Sequence, residues 1–528
     1  MLHAPTGLKG CISAPHHAAA LAGRDILAQG GTAIEAMVAA AATIAVVYPH
    51  MNSIGGDGFW LIHRPNASPV GISGCGRAAA KAPPAFYAAH GITGSIPARG
   101  PLAALTVPGT IAGWAQALAL VPEGRRLPLA TLLRAAERHA RDGIVVTGNH
   151  ADCLTAKLDG LKDVPGFAEV HLPDGRPPRE RELFKQPALA RTFARLAAEG
   201  LDSFYRGSLA ETHAGFLKRT GSPLRLEDFA GFDAEIVTPL STEISAGRLF
   251  NMTPPTQGVS SLMILALFDR LGVTEAEGFD HLHGVIEATK QAFLRRNAEL
   301  GDPDGMAQPA QEWLNPEALE PLLARIDRQT ALPWPYPAQD GDTVWMGAID
   351  SDGCAVSFIQ SVFWEFGSGL TCPETGVVFQ NRGAGFSLEP GPNQLCPGRR
   401  PFHTLNPALA QLKDGRVLVY GTMGGEGQPQ TQAALFSRYA LFGQDLQKAV
   451  TAPRWLLGRT WGEATTSLKL EDRFPPALVQ ALKQAGHDVE IIPAFSDLAG
   501  HAGAVVRHPS GVLEGASDPR ADGAAIAL

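Results

Sequence analysis

The 528-residue chain has no long hydrophobic run, no excess of positive charge and no clustered cysteines, and each absence removes a class of function. Its most apolar stretch, Ala33 to Val47, is Ala-rich, interrupted by Glu35 and shorter than the roughly 20 residues a bilayer demands, so it reads as a buried core helix and no membrane partner is expected. Lys and Arg number 44 against 52 Asp and Glu, giving a net charge of -8 with no basic run, which argues against nucleic acid as a partner. The opening residues Met1 to Gly7 lack a basic segment followed by an apolar one, so no secretory signal is read and a cytoplasmic location is expected. The six cysteines (Cys11, Cys75, Cys153, Cys354, Cys372, Cys396) form no CxxC pair, which leaves neither a zinc site nor a disulfide framework and suits free thiols. The glycines of Ser53-Ile54-Gly55-Gly56-Asp57-Gly58 lack the spacing of a phosphate-binding loop and read as a tight turn. His16-His17 and His281-x-His283 have no further His or Asp at a supporting spacing, so they read as surface or core histidines. No metal and no other cofactor is expected.

What is present is the balance of a soluble globular enzyme: 45% hydrophobic and 18% charged residues, with length for one large domain or three ordinary ones. Helical spacing predicts helices over Pro15 to Leu27, Ala33 to Val47, Leu127 to Asp142, Gln186 to Glu199 and Phe279 to Leu300, the last bearing Glu287, Lys290 and Arg295 as structural ion-pair residues. A Pro-rich stretch, Leu332 to Asp340, reads as an exposed linker because proline is excluded from central strands and helix interiors. Beyond it the pattern becomes strand-rich. Thr343 to Asp350 and Cys354 to Val362 read as a hairpin about Asp350-Ser351-Asp352-Gly353, and Ala408 to Tyr420 reads as another. Helices are expected at Pro429 to Leu441 and Pro475 to Gly486.

A linker that delivers Gly341-Asp342-Thr343 onto the first residue of a core strand places a hydroxyl where a new N-terminus could be buried. If the Asp342-Thr343 bond were cut, the α-amino group, with an ordinary pKa of about 7.7 to 8.0, could accept the proton of the Thr343 hydroxyl. Nucleophile and base would then share one residue. On pattern alone, a threonine opening an ordinary strand accounts for the same residues.

Motifs along nearly the whole chain favour the first reading. Val47-Tyr48-Pro49-His50, Ser53 to Phe59, Thr106-Val107-Pro108-Gly109-Thr110, Gly301-Asp302-Pro303, Gly341-Asp342-Thr343, Phe366-Gly367-Ser368-Gly369, Arg400-Pro401, Gly421-Thr422-Met423-Gly424-Gly425 and Gly515 to Arg520 follow one another in an order that resembles the γ-glutamyltranspeptidase family of N-terminal nucleophile hydrolases. The resemblance implies an α/β, four-layer αββα sandwich and a proenzyme that cuts itself into a large fragment (1-342) and a small one (343-528), together one domain. The two fragments would be each other's partners, and a homodimer of processed heterodimers is a further expectation. It implies Thr343 as nucleophile, Ser361 as a second hydroxyl beside it, and the backbone N–H groups of Gly424 and Gly425 as the oxyanion hole.

Departures from the family pattern bear on the substrate. A γ-glutamyl group offers an ammonium as well as a carboxylate, and the resemblance implies an acid for that ammonium in a segment that aligns with Asn381-Arg382-Gly383-Ala384-Gly385-Phe386. Gly385 takes the acid's place, Arg382 a glutamine's and Phe363 an asparagine's. An ammonium beside Arg382 would be a buried contact between like charges, costing several kcal/mol. The paired serines after Arg-Pro become His403 and Thr404, Arg77 lies two places from the usual carboxylate-binding arginine, and Ser387 to Gly398 is shorter than the usual lid. A cationic set of Arg382, Arg399, Arg400 and Arg77, assisted by His403 and Thr404, is therefore expected to bind a small anionic amide without an amino group. The resemblance extends to a branch that hydrolyses oxamate to oxalate and ammonia in purine and allantoin breakdown. Two alternatives stand beside it: a γ-glutamyl transferase or glutaryl-type acylase with a rearranged pocket, and a non-catalytic family member.

Overall fold

The strand that begins at Asp342 shows how the layers are built. In the computed structural model, which describes residues 3–336, 342–458 and 466–528, Val344, Met346 and Ala348 pack among helices while Trp345 and Ile349 pack against a second sheet. Side chains alternate between faces along a strand, so a strand apolar on both faces must be covered on both.

Among the described residues, fourteen strands make two seven-stranded sheets. In chain order they are β1 (Thr6–Gly7), β2 (Gly10–Ala14), β3 (Asp57–His63), β4 (Val70–Gly74), β5 (Glu235–Val237), β6 (Leu240–Ile244), β7 (Gly247–Asn251), β8 (Asp342–Asp350), β9 (Ala355–Phe363), β10 (Ala408–Leu412), β11 (Val417–Thr422), β12 (Ala502–Arg507), β13 (Leu513–Ser517) and β14 (Ala524–Ala527). One sheet runs β14-β2-β8-β9-β3-β4-β5 and the other β1-β13-β12-β11-β10-β7-β6, with antiparallel neighbours throughout. Between them lies an apolar layer that includes Phe59, Leu61, Trp345 and Ile359 from the first sheet and Phe250, Leu409, Val419 and Val505 from the second.

Helices cover both outer faces. α1 (His17–Ala28) and α2 (Ala33–Val47) lie on the first sheet, with α3 (Leu129–Asp142) packed on α2; α4 (Gly258–Leu271) and α6 (Gln428–Phe436) lie on the second, with α5 (Phe279–Glu299) packed on both of them. The result is the expected four-layer αββα sandwich. α2 is buried on every side, which explains why its sequence is apolar all round. Glu35, which interrupts that run, starts the helix: it accepts the Thr32 N–H at 2.8 Å, and its other oxygen takes the Leu127 N–H at 2.6 Å. Among the described residues no helix is long and apolar enough to cross a membrane.

Both sheets mix strands from before and after residue 343; β8 itself is hydrogen-bonded between β2 and β9. On α5, Glu287 and Lys290 form a buried ion pair at 2.7 Å whose members also bind the N–H and carbonyl of Leu332, anchoring the start of the Pro-rich stretch. Arg295 pairs instead with Glu299 at 3.4 Å. Residues 337–341 of that stretch lie outside the described residues. The helix expected at Pro429 to Leu441 ends at Phe436 and passes into a wider turn over Ser437–Leu441. All six cysteines are free.

Candidate active site

Thr343 is the second residue of β8, at a slip in register: Asp342 pairs with Phe363 but Val344 with Gln360. Such a bulge breaks the ladder locally and re-aims a side chain. Thr343 is buried, and its Oγ1 lies 3.4 Å from Nε2 of Gln428, the first residue of α6. Ser361 lies on β9, across from Asp57 of β3. Its Oγ accepts the Phe363 N–H at 2.8 Å and so closes a short turn that holds Phe363 at φ +85°. A left-handed backbone at a bulky residue costs on the order of 1–3 kcal/mol, and such strain concentrates at functional sites.

The turn after β11 presents two N–H groups. Gly424 and Gly425 adopt φ +111° and +50°, a sequence of left-handed conformations that favours glycine. The Met423 carbonyl accepts the Thr422 hydroxyl at 2.8 Å, and the Gly424 carbonyl accepts the Gly427 N–H at 2.7 Å. Because a trans peptide is planar, the N–H groups of Gly424 and Gly425 then point the opposite way from these occupied carbonyls. Neither donates to another described residue. Gln257 braces the turn, giving its amide hydrogens to the carbonyls of Gly425 (2.9 Å) and Thr404 (2.8 Å). Arg296 holds the Gln257 carbonyl at 2.8 Å and pairs with Glu426.

Arg382 is buried, with Phe363 stacked 3.8 Å from its guanidinium carbon. Nη2 donates to Thr404 Oγ1 at 3.3 Å, while Nε and Nη1 have no partner among the described residues. Burial lowers its pKa to about 9, against the opposing pull of Asp57, so it is a cation near neutral pH. Asp57 is itself well satisfied: one oxygen accepts the N–H groups of Gly76 and Gly109 (both 3.1 Å) and the Gln380 amide (2.9 Å), and the other faces His403 Nε2 at 3.1 Å. Burial nonetheless raises its pKa to about 7, offset in part by Gln380 and Arg382. Burial, then Arg382, hold His403 neutral, and its second nitrogen accepts the Leu405 N–H at 3.4 Å. Both imidazole nitrogens are thus engaged within the protein. At Gly385 a side chain would meet nothing closer than the Phe402 carbonyl at 3.6 Å, so the pocket has room where the family resemblance implies an acid.

The other arginines grouped with Arg382 by sequence are engaged elsewhere. Arg400 pairs with Glu235 at 2.8 Å and Asp302 at 3.2 Å, and Arg77 with Glu235 at 2.6 Å and the Gly398 carbonyl at 3.0 Å. Arg399 is half-buried, its guanidinium beside Gly305. The structure therefore brings Thr343, Gln428 and the Gly424–Gly425 turn into one region, and Ser361, Phe363, Arg382 and Thr404 into one contact chain. Arg77 and Arg400 are neutralised around Glu235. Gln257, Arg296, Gln380 and Gln428 escape sequence reasoning because neutral amides and a mid-helix arginine carry no spacing signature; the aspartate inside Gly56-Asp57-Gly58-Phe59 was a visible signal of a buried acid.

Among the described residues two clusters bring three ligand-type side chains together, Asp57/Cys75/His403 and His283/Glu287/His487. In each the carboxylate is already occupied, in the first by the donors named above and in the second by Lys290 and the Leu332 N–H. Burial also holds Cys75 as a thiol, its pKa well above the ordinary value. Neither donor set suits a metal ion as it stands.

Residues 19–528 match the family model described as Gamma-glutamyltranspeptidase. The chain is 53% identical to an oxamate amidohydrolase proenzyme of Klebsiella pneumoniae over 98% of each chain, and 37% identical to the glutathione hydrolase-like YwrD proenzyme of Bacillus subtilis over 99% of each. Its fold matches the crystal structure of a cephalosporin acylase from Bacillus halodurans with a TM-score of 0.92 at 32% identity, covering 99% of this chain and 97% of that one.

Proposed function

Because this chain belongs to the gamma-glutamyltranspeptidase family and is a hydrolase, we propose that it is a self-processing amidohydrolase whose substrate is a short carboxylated amide, oxamate. The observation that carries the substrate is Arg382: a buried cation with two nitrogens that have no partner among the described residues, an aromatic ring on its face and no acid at Gly385. An incoming carboxylate would pair with those nitrogens, whereas an ammonium would meet like charge. Thr404, already in contact with Arg382, would share the carboxylate. His403, Arg77, Arg399 and Arg400 would act in support by fixing Asp57 and the surrounding loops.

In this reading the chain cuts itself between Asp342 and Thr343. The freed Thr343 amino group takes the proton of its own hydroxyl as Oγ attacks the amide carbon, and the N–H groups of Gly424 and Gly425 receive the oxyanion. The carbon–nitrogen bond breaks, ammonia leaves with the proton, and water releases oxalate from the Thr343 ester. Ser361 keeps Phe363 in its left-handed conformation and hence the ring on Arg382. The fragments 1–342 and 343–528 would stay joined, because each supplies strands to both sheets. The reaction would belong to purine and allantoin degradation, and six free cysteines favour a reducing, cytoplasmic setting.

The likeness to a cephalosporin acylase and the space at Gly385 favour a second reading, an acylase for a longer anionic acyl group. Ammonia release from oxamate, compared with release of p-nitroaniline from its γ-glutamyl derivative and of glutarate from glutaryl amides, separates them. Turnover of oxamate is expected; turnover of only the longer substrates would replace the first reading by the second. A single uncut chain that hydrolyses none of them would sink both and leave the non-catalytic alternative.

A further inference from the structure

We propose that Gln428 is a catalytic residue: its carboxamide donates to Thr343 Oγ1 and so sets the direction in which that hydroxyl gives up its proton. The proposal rests on Thr343 being the nucleophile. Both side chains are buried, and the 3.4 Å separation is at the long end for N–H···O, as catalytic contacts often are before the reacting group arrives.

What makes the contact directional is the other end of the amide. Gln428 Oε1 accepts the Asn406 backbone N–H at 3.2 Å. Turning the amide over would set its NH2 against that donor, so the nitrogen is left facing Thr343. Asn406 is itself held, its side chain donating to Ser261 Oγ at 2.8 Å and its carbonyl accepting Gln432 Nε2 at 2.5 Å. Gln428 also opens α6 directly after the Gly424–Gly427 turn, so one segment carries both the oxyanion donors and the donor to the nucleophile.

A hydroxyl has one O–H and two lone pairs. The Gln428 amide takes one of those lone pairs, so the O–H is turned away from Gln428. In self-cleavage Oγ bonds to the Asp342 carbonyl carbon, the Asp342–Thr343 carbon–nitrogen bond breaks, and the hydroxyl proton passes to the Thr343 nitrogen. Water then hydrolyses the ester and restores the Oγ–H. Gln428 gives and takes no proton in either step; it partners the oxygen as its charge rises and falls.

Two substitutions test this. Gln428→Met keeps the size and removes the donor; Gln428→Glu keeps the size and the bond to the Asn406 N–H but turns an acceptor toward Thr343. A packing role would survive one or both. Self-cleavage is followed by intact mass, and kcat and KM are measured for oxamate, on protein whose unfolding midpoint is compared with the unaltered chain. Losing a donor to a partly charged oxygen is expected to lower kcat by about 10- to 100-fold, with KM within about threefold and self-cleavage slowed in parallel. A folded variant with kcat within twofold of the parent, or a loss confined to KM, overturns the proposal. Should one variant fail to fold, the other decides. Thr343→Ala, run alongside, is expected to stay uncut and inactive; if it is cut or turns over oxamate, the nucleophile assignment fails, whatever Gln428 does.

Discussion

Two arginine-bearing regions, one around Glu235 and one around Arg382, differ in what their charges already hold. Around Glu235, Arg77 and Arg400 share one carboxylate, Arg400 takes Asp302 as well, and Glu235 remains partly open to solvent. Around Arg382 the cation is buried, its flat face is covered by Phe363, and two nitrogens point at no described acceptor. An arginine whose charge is already met by carboxylates, as Arg77 and Arg400 are, gains little from a further anion. A buried, half-satisfied one gains a great deal, because an incoming carboxylate cancels a desolvation cost already incurred. Ligand affinity follows from incomplete satisfaction more than from the presence of positive charge.

The largest break in the comparison is Arg382→Ala. It is expected to leave self-cleavage intact and lower kcat/KM for oxamate by about 100- to 1,000-fold, the scale of a lost buried charge pair. An unchanged kcat/KM would move carboxylate recognition away from this arginine. Next is Gly385→Asp, for which the pocket has room. An acid there would oppose an incoming carboxylate, so turnover of oxamate should fall by about tenfold or more, and any gain should appear on substrates carrying an ammonium. Arg77→Ala probes the paired region and should change kcat/KM by no more than about twofold, since its guanidinium is held by Glu235 and Gly398.

The smallest effect concerns pH. Burial raises Asp57 to about 7, while in the unfolded chain its pKa is near 3.8. Between those values the native protein binds more protons at this carboxyl than the unfolded chain does. The stability it contributes is therefore full below about pH 4 and lost as pH rises through 7. In unfolding measurements across that window, Asp57→Asn should flatten the pH dependence relative to the unaltered chain; an identical slope would show that Asp57 is ionised throughout.

Much of the fold was legible in the sequence because its signals are local. The apolar run of α2 and the hairpin about Asp350–Gly353 each state their conformation within a few residues. The grouping of Arg77, Arg399 and Arg400 with Arg382 was the reading the structure rearranged. Glu235 lies 158 residues from Arg77, and Asp302 lies 98 from Arg400. No periodicity or spacing encodes such pairs, since they exist only once β5 and the loop after α5 are packed beside the residues they neutralise.

By itself, then, the sequence determined the α2 helix, the strand near whose start Thr343 lies and the hairpin that follows, because apolar spacing, side-chain alternation and turn residues act over short range, while the four layers and the role of the Gly424–Gly425 pair were what the family resemblance implied. Only the tertiary structure decided which cation stays unpaired and that Gln428 reaches the threonine hydroxyl. Both depend on groups far apart in the chain being held within a few ångströms, where desolvation and hydrogen-bond geometry set the energy.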